Sequence, residues 1–241
     1  MAPVLSVEET NFHNACIKIL RNILSQGRKI TLIDNRGKQD VIDSCQTIVL
    51  SGYALEQISR MDTHPENPYL STPTYCKEWT PDFLNEHIKN PRHKDYLAYG
   101  RLAAYPASNG IFINQIAAMR DSLAKQLKGG YACNNSQAIT WYPKKDLTAE
   151  ASPFVQRIWA RIYPGGKIDA HFYWRATDAY NHFQSRMICI LNMFKREVAD
   201  PNGCRFVRAV CVYDSLYVNA ADIASAGHVG MAATNPRLNY F

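Results

Sequence analysis

Residues 154–163, FVQRIWARIY, and residues 167–175, KIDAHFYWR, flank the tripeptide Pro164-Gly165-Gly166. Both arms are rich in aromatic and β-branched side chains, and the Pro-Gly-Gly step is a turn signal, so the stretch predicts two antiparallel strands joined as a hairpin. Alternation along the second arm puts Phe172 and Trp174 on one face and Tyr173 and Arg175 on the other. After it come Ala176-Thr177-Asp178 and then Met187, Ile190, Leu191 and Phe194 at helical spacing, closed by Asp200-Pro201-Asn202-Gly203. Asp178 is of the residue type that caps helices, so a long helix is expected to start from it. Strands and helices mixed along one stretch place the chain in the α/β (α+β) class.

Working outward, Ser6-Val7-Glu8-Glu9 has capping-box spacing ahead of Phe12, Ala15, Ile19, Leu20, Ile23 and Leu24, which predicts an amphipathic first helix ending at Gly27. Residues 29–33 read as a short strand, Asp34-Asn35-Arg36-Gly37 as a turn from which Arg36 can reach a ligand, and residues 45–50 as a buried run. Residues 111–127 have helical spacing, with Gly129-Gly130 as the stop, and residues 206–213 read as a further strand. The tail from Ala220 is polar and rich in small residues. Residues 61–95 are proline-rich with little periodicity and read as a lid or insert within a single domain spanning residues 1–241.

The chain has 241 residues, 46% hydrophobic and 20% charged, which suits a globular protein with a sizeable core and excludes disorder of the whole chain. No apolar run approaches the roughly 20 residues of a membrane helix, and the first residues lack the layout of a signal peptide. The expectation is a soluble, cytoplasmic protein without a membrane partner. Seven cysteines without a CxxC pair suggest neither a disulfide framework nor a zinc knuckle, and no HxxxH or carboxylate cluster marks a metal site. A net charge of +6 without a polybasic run suits a small phosphorylated ligand better than a nucleic acid.

Chemistry concentrates at Arg175-Ala176-Thr177-Asp178, an arginine and a carboxylate at a strand-to-helix junction. Two readings stay open from spacing alone: an anion site built from a guanidinium and a helix start, or an ion pair that caps the helix. The aromatic set Trp159, Phe172, Tyr173 and Trp174 reads either as core or as a stacking surface for a pterin or base.

The segment from Arg175 to Asp178 resembles the Arg-Ser-x-Asp block of thymidylate synthases and the related pyrimidine nucleotide hydroxymethylases. Tyr99-Gly100-Arg101 resembles the family's Tyr-Gly block, and Asn114-Gln115-Ile116 its Asp-Gln helix start. Ala138-Ile139 through Trp141-Tyr142-Pro143 to Asp146 is similar to its central strand and following turn, and Ser152-Pro153-Phe154-Val155-Gln156 falls where short members carry Pro-Cys-x-Gln. The blocks cover roughly residues 95–220 in the family's order. The resemblance implies a three-layer fold around a large mixed sheet, a homodimer joined sheet face to sheet face, and 5,10-methylenetetrahydrofolate as one-carbon donor. It implies Asp178 and Tyr99 as catalytic residues, and Arg175, Arg36, Gln156, Tyr217 and Asn219 as substrate-binding residues.

Departures from the pattern are as informative as the matches. The family's cysteine adds to C6 of the pyrimidine, whereas this chain has Phe154 there, 21 residues before Arg175. The family's paired arginines, which reach across the dimer to phosphate, fall at Ser136-Gln137, a loss of two contacts typically worth about 1.5–3 kcal/mol each. Its ribose-holding His-x-Tyr falls at Tyr217-Val218-Asn219, and the asparagine that reads the pyrimidine edge falls near Ser185 or Arg186. Cys133 and Cys189 are candidate substitute nucleophiles, and the favoured competing reading of each is a packed free thiol. The resemblance therefore implies one-carbon transfer, hydroxymethylation or methylation, to a pyrimidine nucleotide or related small anionic substrate without the usual nucleophile. A catalytically inactive nucleotide-binding or regulatory homologue is the competing class, and a nucleic-acid module ranks last.

Overall fold

The computed structural model describes residues 3–34, 37–61, 98–108, 110–149 and 152–232. The predicted hairpin is present: β7 (Val155–Tyr163) pairs antiparallel with β8 (Lys167–Asp178), with Tyr163 opposite Lys167. Gly165 and Gly166 take φ of 77° and 66°, which an L side chain adopts only with strain. β8 then pairs in parallel with β9 (Arg205–Asn219), and β9 pairs antiparallel with β3 (Gly37–Ser51). The edge of β3 away from β9 is shared. Residues 37–43 bond β2 (Arg28–Asp34), and residues 45–50 bond β1 (Val4–Glu9) in parallel. The handover falls at Cys45, where the pairing with β9 also shifts register. The short β6 (Gln137–Ile139) borders β7, giving the order β1-β3-β9-β8-β7-β6 with β2 beside β3.

One face of this mixed sheet is the core. Ser44, Gln46, Ile48 and Leu50 of β3 are fully buried, as are Ala209, Cys211 and Tyr213 of β9 and Ala170 and Phe172 of β8. Trp174 stacks on Tyr213 with ring centroids 5.3 Å apart, and Phe172 meets Phe194 edge-on at 5.7 Å. Residues between them on the same strands, among them Cys45, Thr47, Val49, Val210, Val212, His171 and Tyr173, are only half-buried and form the other face.

Helices α1 (Phe12–Gln26), α2 (Tyr53–Met61), α3 (Ala98–Ala103) and α4 (Gln115–Gly129) are followed by the single turn α5 (Pro143–Asp146). The central helix is α6 (Phe183–Phe194), all of whose residues except Gln184 are buried, so it is packed on nearly every side, with Ser185, Arg186 and Asn192 as polar residues among an apolar majority. It runs on through a π-helical turn, Lys195–Ala199, and a 3-10 turn, Asp200–Asn202. No helix among the described residues is long and apolar enough to cross a membrane.

Three local expectations change in the folded chain. Ser6–Glu9 does not open a helix: it lies in β1, paired with Thr47–Leu50, and Asn11 caps α1 instead, its side chain accepting from Asn14 N at 3.0 Å. Long-range pairing that buries Val7 outweighs a local capping pattern. Asn114 likewise caps α4, because residues 111–113 form a strand, β5 (Ile111–Ile113), against β4 (Tyr105–Ser108). The tail from Ala220 forms α7 (Ile223–Ala232), whose Gly230 carbonyl accepts from Arg21 Nε.

A buried ion pair ties together several of the segments that suggested the family. Arg101 on α3 donates to both carboxylate oxygens of Asp146 at 3.0 Å each and to Thr140 O at 3.0 Å. Asp146 also accepts from Tyr142 N at 2.6 Å. Gln115 donates to the Arg101 and Ile139 carbonyls and accepts from Ile139 N, locking the start of α4 to the same joint.

Candidate functional site

Asp178 is the last residue of β8, not the cap of α6. Its Oδ1 accepts from Tyr180 N at 3.0 Å and Asn181 N at 2.9 Å, so it closes the turn that leads into the helix. Its Oδ2 accepts from Asn181 Nδ2 at 3.0 Å and Asn219 Nδ2 at 2.6 Å. Four donors thus converge on a carboxylate whose residue is 3% exposed. Asn219, at the end of β9, keeps a buried Oδ1 with no partner.

Tyr217 stands on β9 between two carboxylates, paired across the strands with Asp178 on β8 and Asp43 on β3. Asp43, which sequence reasoning missed, is buried and accepts from Ser215 Oγ at 2.6 Å. Burial raises its pKa above the usual carboxylate range, against the lowering effect of that hydrogen bond. The native state therefore holds the proton more tightly than the unfolded chain. The resulting stability is present below the ordinary pKa of 3.8 and is lost as pH rises through the higher folded value. Asp43→Asn, which keeps an acceptor for Ser215 without the charge, is expected to raise the thermal midpoint at about pH 7, and the gap from wild type is expected to close near pH 4. Scanning calorimetry at the two pH values checks this.

Arg175 is exposed on β8. Its Nη2 donates to Ser152 O at 3.1 Å, and its backbone N–H donates to Phe154 O at 2.8 Å. Gln156 folds back on the same turn, Nε2 donating to Pro153 O at 2.6 Å. Phe154 is 40% exposed at the mouth of this turn. Its ring centroid lies 3.5 Å from Cζ of Arg186, whose Nη1 donates to Thr177 Oγ1 at 3.2 Å. Phe154 and Arg186, 32 residues apart in sequence, are therefore in direct contact. The available sequence signal was a single cation in an otherwise uncharged helix, FQSRMICILNMF.

Arg175, Asp178, Gln156, Tyr217 and Asn219 thus gather at one end of the sheet, joined by Phe154, Thr177 and Arg186. Tyr99 does not join them. It is buried on α3, and its hydroxyl donates to Glu197 Oε2 at 2.9 Å. Glu197 follows Phe183 by fourteen residues, roughly 20 Å along the helix axis at about 1.5 Å per residue, at the far end from Asp178. Arg36 and nearly all of residues 61–95 lie outside the described residues. Ser136 is buried, bonded to Ser122 and Gln126, and Gln137 is exposed on edge strand β6. Cys133 donates to Asn135 Oδ1 at 2.8 Å, away from this cluster, and Cys189 is buried on α6 and disulfide-bonded. Among the described residues no three of His, Cys, Asp and Glu gather as metal ligands. The sequence matches no known protein-family model and no curated protein.

Proposed function

We propose that the polar end of the sheet binds a pyrimidine nucleotide or a related small anionic molecule on a thymidylate synthase-type scaffold. The observation that carries this is convergence: positions 154, 175, 178, 217 and 219, aligned with the family's site by resemblance, meet at one place, with Arg186 beside Phe154 and Thr177. Arg175, exposed and with its guanidinium bonded among the described residues only through Nη2 to a carbonyl, is the residue proposed for the phosphate. One-carbon transfer to the bound molecule, with 5,10-methylenetetrahydrofolate as donor, is the reaction that the resemblance attaches to such a site.

The residues present do not fit that reaction in its cysteine form. Phe154 offers no nucleophile, the Asp178 carboxylate already serves four donors, and Tyr99 bonds Glu197 at the far end of α6. These observations favour a second reading, a binder that does not turn its ligand over. The half-buried sheet face is the surface proposed for a second copy. Arg157 and Arg161 lie toward one side of it and Glu8 toward the other, so a two-fold arrangement brings opposite charges together.

Thermal unfolding with dUMP, UMP, dCMP and CMP tests binding. A ligand at 100 times its Kd is expected to stabilise the chain by about 2.7 kcal/mol, and Arg175→Ala is expected to lose most of that gain. Mass spectrometry of the same mixtures with methylenetetrahydrofolate, with Phe154→Cys alongside, tests turnover. Addition of one methyl or hydroxymethyl group by the wild type establishes transfer, stabilisation without product establishes the binder, and the absence of both overturns the proposal.

A further inference from the structure

Arg186 is the sole charged residue of α6 and is only 6% exposed. The other deeply buried arginine among the described residues, Arg101, faces a carboxylate through two hydrogen bonds. Arg186 faces none among the described residues. Its single side-chain hydrogen bond goes to a neutral hydroxyl, Thr177 Oγ1, its Nε–H is buried without a partner, and one face of its guanidinium lies against the Phe154 ring. A threonine hydroxyl and an aromatic face solvate a cation but do not neutralise it, and burying an uncompensated charge is costly. A methionine or leucine at this position would continue the apolar helix without that cost.

We infer that Arg186 is the receptor for a carboxylate on the ligand. With Nη1 committed to Thr177, the remaining edge of the guanidinium, Nε–H and Nη2–H, presents two parallel donors, the arrangement that a planar carboxylate takes up side-on. Phe154, packed on the guanidinium and 40% exposed, is the wall against which a flat ring lies. Among the described residues, Asn219 Oδ1, beside Asp178 at this end of the sheet, is a further unpaired buried group, and as an acceptor it suits a ring N–H. The ligand class is thus an acidic heterocycle: a flat ring with a carboxylate and an N–H, free or as the base of a nucleotide. The inference rests on the functional reading above for the place of the site, and adds that the ring end of the ligand is itself anionic.

Orotate, which has the carboxylate and the ring N–H, and uracil, which lacks only the carboxylate, are the probes, titrated calorimetrically into wild type, Arg186→Gln and Arg186→Lys. Orotate is expected to bind wild type at least tenfold more tightly than uracil, and Arg186→Gln is expected to abolish that preference, with partial retention in Arg186→Lys. Arg186→Met, without ligand, is expected to unfold at the same or a higher temperature than wild type, because it removes an unpaired buried charge; a purely structural arginine predicts the opposite. Equal binding of orotate and uracil by wild type, or equal orotate binding by wild type and Arg186→Gln, overturns the inference. UMP in the presence or absence of Arg175→Ala separates the two proposals. An Arg175-dependent UMP response without an orotate preference leaves the functional reading standing and this inference refuted, and the reverse pattern does the opposite.

Discussion

Asp146→Ala is expected to destabilise the chain by about 3–5 kcal/mol, because it leaves the Arg101 guanidinium buried without its counter-charge. Arg101 and Asp146 are both almost wholly inaccessible, and the pair is bidentate. The loss extends beyond the pair, since Tyr142 N loses its acceptor and the turn that carries Asp146 loses its tie to α3. For a chain of this length the shift in thermal midpoint is roughly 6–20 °C. Replacing both partners, Arg101→Met with Asp146→Leu, is expected to cost clearly less than Asp146→Ala, because two apolar side chains leave no stranded charge. Chemical denaturation of wild type, single and double variants measures the difference. A loss below about 1 kcal/mol in Asp146→Ala would show that the joint is solvated or replaceable.

Asp178→Ala is expected to cost about 2–4 kcal/mol, since it strips the acceptor from two backbone N–H groups and two side-chain amides at once. Asp178→Asn is expected to cost less. An asparagine oxygen still accepts from Tyr180 and Asn181, and Asn219 can rotate its amide so that Oδ1, now without a partner, accepts from the new side chain. The conservative variant also separates two roles for this carboxylate. A turn-closing Asp178 predicts that Asp178→Asn keeps the nucleotide-induced rise in thermal midpoint, whereas an Asp178 that contacts substrate predicts that the rise disappears while the variant remains folded.

Phe154, Gln156 and Arg175 lie on the hairpin arms that local sequence defined, whereas Asp178, Tyr217 and Asn219 join them because β8 and β9 run on past the expected strands 167–175 and 206–213. Arg175 and Asp178 share β8, and Tyr217 and Asn219 share β9. Phe154 and Gln156 lie at the mouth of the hairpin whose closing turn is Pro164-Gly165-Gly166. Tyr99 was different. It belongs to a short helix whose position depends on the Arg101–Asp146 joint and on Glu197, contacts between residues 45 and 98 positions apart. Spacing along the chain carries no information about which end of α6 such a helix meets. The roles of Asp43 and Arg186 were equally hidden, because each is decided by neighbours on other strands and helices.

Sequence alone determined the β7–β8 hairpin, the glycine stop of α4 and the apolar character of α6, since turn residues and side-chain periodicity act over a few residues. Tertiary structure decided that Ser6–Glu9 is a strand, that Asp178 closes a turn and does not cap the helix, and that Phe154 rests on Arg186 while Tyr99 lies at the other end of α6. Each of those outcomes rests on burial and pairing between distant segments, whose free energy is gained only when the chain is folded and outweighs the local preferences that the sequence displays.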